Sequence, residues 1–403
     1  MRSKVESKWS VSPNRPPADG RMEKMSDDIW DQPALKEPRV AFRDLRITDT
    51  ALRSSLLDSV GDVLENGPIL MGPRVEQFEQ RMAAYCGRGS AVGVASGTCA
   101  LYLALRALGI GPGDELLTSS MSWVATLNAI VMTGAQPVFV DVGEDQNINP
   151  ALLVSAITQR TRAIVPVHFT GRLCDMTAIA EVAREHDLLI IEDAAQAMGT
   201  QRNTYRVGSV GDAAAFSLNP MKVFPGFGEA GAVVTDDAAI DKRLRALRYL
   251  GTERKEVCIE ISLNHKMDEI QAALLLHGFD LIDDLVESRI SMARRYSERL
   301  RGIVGCPSVP SVGDQSSNFF DYVIFSEDRD GLRYFLHAQG IETKVKHPIL
   351  LCDHPAYPCE PRPQIPVADR LASQMISLPL HDKLRKSDID YVCDEIRRYC
   401  NGK

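Results

Sequence analysis

The chain has 403 residues, 44% hydrophobic and 25% charged, with a formal net charge of -8. That length is more than one small core needs and suggests two domains, while the composition excludes disordered, fibrous and membrane-spanning classes. The acidic balance argues against a nucleic-acid partner, which would need a basic surface to displace counterions.

Residues 1–39 are polar and proline-bearing (Ser12-Pro13-Asn14-Arg15-Pro16-Pro17) and show no helical or strand period, so they are expected to form a flexible extension. Met22 and Met25 leave room for a natural start inside this arm. The chain carries neither an apolar run of bilayer length nor the apolar core of a secretory leader, so no membrane partner is expected. Nine cysteines form an odd set without a CxxC pair, which points away from a disulfide framework or a zinc site and toward a reducing compartment. The expected location is the cytoplasm.

From Val40 onward, short β-branched runs alternate with helical segments, the pattern of an α/β protein with a mostly parallel sheet. Strands are predicted at Ala91–Ala95, Glu115–Thr118, Gln136–Val140, Ala163–Val167, Leu188–Glu192, Ala213–Ser217 and Gly231–Thr235. Helices are predicted between them, including Gly97–Leu108, Trp123–Thr133 and Met176–His186. Apolar residues at helical spacing without proline predict one long helix from Asp268 to about Arg301, and alternation then resumes at Phe319–Phe325, Arg329–Gln339, Glu342–Lys344 and Ser387–Tyr399. The expected organisation is a polar extension (1–39), a large domain (40–280), and a linking helix with a smaller α/β domain (281–403).

Four local features carry chemistry. Ser96-Gly97-Thr98 follows a strand and opens a helix, where it serves either as a plain cap or as an anion site built from backbone N–H groups and hydroxyls. Asp193, in Glu192-Asp193-Ala194-Ala195-Gln196, ends an apolar strand. There it is either a turn residue or, at the carboxyl edge where doubly wound sheets bind ligands, a partner for a protonated pyridine nitrogen. Lys222 lies in Asn219-Pro220-Met221-Lys222 after another strand, ahead of glycines that let backbone approach a ligand. A lysine alone is usually a solvated surface residue, but a buried one forms imines and moves protons. Trp123 is either a core residue or a ring that stacks on a heteroaromatic group. Gly226-Phe227-Gly228-Glu229-Ala230-Gly231 matches a dinucleotide fingerprint only formally, because a strand rather than a helix is predicted after it.

Together these residues resemble the DegT/DnrJ/EryC1/StrS family of pyridoxal-phosphate (PLP) sugar aminotransferases. The likeness also rests on Gly67-Pro68-Ile69-Leu70-Met71-Gly72, Phe78-Glu79, Gly111-Pro112-Gly113-Asp114-Glu115, Pro137-Val138-Phe139-Val140-Asp141, Gly228-Glu229-Ala230-Gly231-Ala232, Gly340-Ile341-Glu342-Thr343-Lys344 and Ser377-Leu378-Pro379-Leu380. The resemblance implies the fold of aspartate aminotransferase, with a seven-stranded sheet and a smaller C-terminal α/β domain. It implies Lys222 as the imine lysine, Asp193 as the pyridinium partner and Gln196 beside the phenolic oxygen. Gly97, Thr98 and Ser217 would hold the phosphate, Trp123 would stack on the ring, and Asn264 would reach the phosphate in a neighbouring subunit of a homodimer with shared sites.

The implied reaction moves an amino group from glutamate or glutamine to a keto-sugar, whether nucleotide-linked, phosphorylated or a keto-inositol, in amino-sugar, antibiotic or polysaccharide biosynthesis. Lys222 favours transamination over the dehydration of members that carry histidine there. The alternatives are elimination or aromatisation on the same fold, as in aminohydroxybenzoate formation, and a non-catalytic ligand sensor. Two departures from the family pattern are Lys266 in place of arginine and Asn219 in place of histidine, and the extension before Val40 is a third.

Overall fold

The computed structural model describes residues 35–402 apart from 36, 203, 204, 255, 312 and 358. The expected polar extension therefore lies, up to residue 34, outside the described residues.

Seven strands build the central sheet: β1 (Ser90–Val94), β2 (Glu115–Ser119), β3 (Gln136–Val140), β4 (Thr161–Val165), β5 (Leu189–Asp193), β6 (Ala213–Ser217) and β7 (Gly231–Thr235). Their spatial order is β1-β7-β6-β5-β4-β2-β3. β7 is antiparallel to both β1 and β6, and the remaining pairs are parallel. With β7 reversed between them, β1 and β6 point the same way. The carboxyl ends of β1, β2, β5 and β6 therefore open on one edge.

The labelled helices are α1 (Thr50–Asn66), α2 (Pro73–Cys86), α3 (Gly97–Ala107), α4 (Val124–Met132), α5 (Met176–Glu185), α6 (Ala238–Arg248), α7 (Glu269–Leu276), α8 (Ile282–Leu300), α9 (Arg329–Ala338), α10 (Pro366–Gln374) and α11 (Lys386–Asn401). Alternate strand residues serve opposite faces of the sheet. Val92, Ile191, Ala213, Ala215 and Val233 share a core with Leu103 and Leu105 of α3 and Leu244 of α6. Ala91, Ala214, Phe216, Ala232 and Val234 share another with Phe78 of α2 and with Val286 and Ile290 of α8. Burial on both faces explains why these strands read as nearly continuous apolar runs. Among the described residues, no helix is long and apolar enough to cross a membrane.

Three expected elements are corrected. The long helix predicted from Asp268 to about Arg301 is α7, a 3-10 turn at His277–Asp280, and then α8. Phe279 turns inward there against Phe224, Phe78 and Tyr85, with ring centroids 4.8, 5.8 and 6.2 Å away. Gly278 lets Phe224 pass, since a Cβ there would lie 2.3 Å from the Phe224 ring. The 3-10 turn thus falls where a glycine weakens the helix locally and tertiary packing of one aromatic draws the chain inward.

In the C-terminal part, the predicted element Phe319–Phe325 is a strand only over Tyr322–Phe325 (β8). It pairs antiparallel with β9 (Met375–Leu378). Residues Asn318 to Asp321 instead form a turn with Phe319 at φ 47°, fastened to the large sheet. The expected element Glu342–Lys344 supplies one bridge, Lys344 to Ser377, rather than a strand.

Gly→Ala in a helix ordinarily stabilises, by roughly 0.5–1 kcal/mol. At Gly278 the sign should reverse, because overpacking the Phe224 ring costs about 1–3 kcal/mol. A Gly278→Ala variant is expected to unfold at lower urea concentration than the parent.

Candidate active site

The carboxyl edge of the sheet gathers most of the residues singled out in the sequence. Ser96 caps α3 through its Oγ, which accepts from Cys99 N at 3.1 Å. The first N–H groups of the helix have no intrahelical acceptor and point out of the helix start, where an anion is favoured. Gly97 belongs here for a steric reason, since a Cβ on it would lie 2.5 Å from Ser217 Cβ. Gly231 is equally constrained, its Cβ direction running 2.4 Å from Ser96 O. The end of β6 therefore sits directly against the start of α3, with the Ser217 hydroxyl at the cradle and Thr98 exposed beside it.

Asp193 ends β5 and is buried. Its Oδ2 accepts from Thr126 Oγ1 at 2.7 Å and its Oδ1 from Ala195 N at 3.2 Å. Both donors are neutral, so the carboxylate is held without a full counter-charge. Burial accordingly pushes its pKa up, against the Thr126 hydroxyl, the Ala195 N–H and the Lys222 charge. Glu192, its neighbour, points the other way. Burial opposes its charge as well, but His168 Nε2 at 3.0 Å and the N–H groups of Gly208, Val210 and Gly211 outweigh this and hold its pKa down. Cys174 N donates to His168 Nδ1 at 3.1 Å, which places the imidazole proton on Nε2.

Lys222 lies on the loop after β6. Asn219 closes this loop: its Oδ1 accepts from Met221 N at 2.9 Å, and its Nδ2 donates to Glu229 Oε1 at 2.6 Å. Burial lowers the Lys222 pKa from 10.5 to about 8, and Asp193 is the strongest group opposing that fall. The Lys222 Nζ stands 4.6 Å from the centroid of the Phe320 ring.

Gln196 is buried and uses its Oε1 to accept from Thr170 N at 2.9 Å. Trp123 stands exposed at the N-cap of α4, with its ring edge-on to His347 at 5.6 Å. Asn264 stands apart on an exposed segment bridged to Tyr249, and next to it Lys266 Nζ lies 4.0 Å from the Tyr249 ring centroid.

Sequence reading missed Thr126, Phe320, Asp321, Lys346 and His347. Thr126 was visible within the Trp123 segment, three residues on, which is one helical turn. Burial pushes the His347 pKa down to about 4, so its ring is a neutral wall between Trp123 and Phe169. No sequence pattern links residues 320–347 to residue 222.

This donor set fits pyridoxal phosphate. A helix start with two hydroxyls suits the phosphate, a buried carboxylate without a counter-ion suits a protonated ring nitrogen, and an amine with a lowered pKa suits the aldehyde. The description "DegT/DnrJ/EryC1/StrS aminotransferase family" matches residues 51–397. The chain belongs to that family.

Among its relatives, the Streptomyces venezuelae protein named dTDP-3-amino-3,4,6-trideoxy-alpha-D-glucose transaminase is 40% identical, over 90% of this chain and 96% of its own. The crystal structure of S. venezuelae DesV in complex with a ketimine intermediate has a TM-score of 0.86 at 40% identity, covering 90% of this chain and 99% of that one. Bacillus subtilis NtdA with bound cofactor PMP has a TM-score of 0.84 at 29% identity, over 92% of this chain and 87% of that one. This member of the DegT/DnrJ/EryC1/StrS family is a PLP-dependent aminotransferase with the fold type I architecture.

A lowered pKa means that the nucleophilic, neutral amine appears at lower pH. In the cofactor-free protein, trinitrobenzenesulfonate should modify Lys222 at a rate that rises through about pH 8. An ordinary surface lysine titrates near 10.5, so peptide mapping across pH 7–11 separates the two.

Proposed function

We propose that Lys222 carries the cofactor and performs the proton transfers of an amino transfer from glutamate or glutamine to a keto-sugar. The observation that carries this reading is the placement at one sheet edge of a half-buried amine with lowered pKa and a buried carboxylate. The transaminase name of the S. venezuelae relative supports a sugar acceptor.

When bound, pyridoxal phosphate supplies an electron-withdrawing ring that takes up the charge left on the donor's α-carbon as its proton leaves. Lys222, as a free amine, moves that proton between the α-carbon and the cofactor's C4′. Asp193 keeps the ring nitrogen protonated, and Thr126 orients the carboxylate. The N–H groups of Gly97 and Thr98, with Ser217 Oγ, hold the phosphate. Gln196 would neighbour the phenolic oxygen, and Trp123 would stack on the ring.

Asn264 completes the phosphate site of a neighbouring subunit in a homodimer. Its exposure, beside an Ile261 that is 86% exposed and a similarly bare Leu263, supports an interface there. The division into residues 40–280 and 281–403 belongs to the same proposal, as does a cytoplasmic location, which nine free cysteines favour.

Lys222→Ala should lose the visible absorbance of lysine-bound cofactor and all turnover. In the parent, borohydride reduction should fix the cofactor on the peptide that contains Lys222, and an unmodified Lys222 refutes the assignment. Asp193→Asn should still bind cofactor but react at least about 100-fold more slowly, as when a preorganised electrostatic group is lost. A single turnover with glutamate should yield 2-oxoglutarate and the pyridoxamine form. A panel of keto-sugars added to that form then identifies the acceptor by return of the absorbance.

A further inference from the structure

The catalytic edge carries more positive charge than the cofactor roles account for. Asp321 is buried, and both its oxygens are taken by Lys346 Nζ, at 2.5 and 2.6 Å. Arg43 Nη2 also reaches it, 3.2 Å from Oδ1. Arg289 is buried behind them, donating to the carbonyls of Asn318, Phe319 and Phe320. Asp321 and Asp382 are the carboxylates that act on Arg289. Three cations, Lys346, Arg43 and Arg289, therefore gather around the one buried carboxylate of Asp321, with Asp382 also acting on Arg289.

This cationic cluster adjoins the reacting amine. Lys346 Nζ lies 4.4 Å, and Lys222 Nζ 4.6 Å, from the centroid of the same Phe320 ring. The Lys346 side chain is 23% exposed against 3% for Asp321, so the pair opens outward through the lysine. An ammonium has three N–H donors, and Asp321 takes two of them. Clustered like charges in a partly desolvated site are costly unless an anion joins them.

We propose that Lys346 recognises an oxyanion of the substrate, a carboxylate or a phosphate, beside Lys222. Asp321 aims the ammonium, and Arg43 and Arg289 add positive charge around Asp321. Two sources present that chemistry, the α-carboxylate of the amino donor and a phosphate on the acceptor. The proposal rests on the assignment of Lys222 to the reacting position.

The test uses the holoenzyme and two unreactive probes, glutarate for the donor's carboxylates and glucose 6-phosphate for a sugar phosphate, with dissociation constants from calorimetry. Lys346→Gln should weaken one of them about 10-fold or more, as expected for a lost charged hydrogen bond, while Lys346→Arg should keep most of the affinity. Weakened glutarate assigns the anion to the donor, and weakened glucose 6-phosphate assigns it to the acceptor. If the parent binds neither probe, or Lys346→Gln binds both as the parent does, or the glutamine and arginine variants lose equally, the proposal falls. Should the glutamine variant strand Asp321 and unfold, Lys346→Gln/Asp321→Asn removes both charges and reads the same contrast. Visible absorbance of the lysine-bound cofactor, recorded on each variant, reports separately on Lys222.

Discussion

A half-buried lysine and a buried aspartate at one edge of a sheet, each in a place where its charge is disfavoured, govern the rest of this molecule. Burial lowers the amine and raises the acid, so Lys222 and Asp193 are drawn toward neutrality together. Neither is relieved by a direct ion pair, and Asp193 is held by a hydroxyl and a backbone N–H. A protonated ring nitrogen beside Asp193 and a carbonyl carbon beside Lys222 would relieve both. The protein spends stability on a site whose ligand restores the balance.

Holding those two groups in register requires a rigid frame, and other buried carboxylates supply it. Glu192 ties the 208–211 turn to β5. Glu269 accepts from Gly72, Arg74 and Val75 N–H groups and caps α2 from the first turn of α7. Glu79 takes Arg245 and Gly93 N, joining α2, α6 and β1. Asp141 caps α10 through Val367 N and Ala368 N. Several residues that carry the family likeness are therefore braces. Each satisfies N–H groups or a guanidinium that would otherwise be buried without a partner.

One turn of the C-terminal part is clamped at the same edge. Asn318 Nδ2 donates to the carbonyls of Gln196 and Met198, at 3.0 and 2.9 Å. Gly171, at φ 85°, makes room for it, because a Cβ there would lie 1.8 Å from Asn318 Oδ1. That clamp sets Phe320 and Asp321 beside Lys222, and Asp321 in turn draws in Lys346. The wall beside Lys222 is thus built from segments that lie far apart in the chain.

The sequence by itself determined the seven strands, their alternation with helices, and the lysine, the aspartate and the glycine-bearing helix start. These are local signals: an apolar strand, a turn, and a residue whose type alone permits the chemistry. Tertiary structure decided where the 268–301 helix breaks, because an isolated glycine is tolerated within helices and it is the inward packing of Phe279 beside Gly278 that marks this one. It also decided that Thr126 serves Asp193, and that Phe320, Asp321 and Lys346 stand beside Lys222. Those contacts depend on how the C-terminal turn docks on the sheet, and no spacing along a chain encodes a distance between segments that meet only after folding.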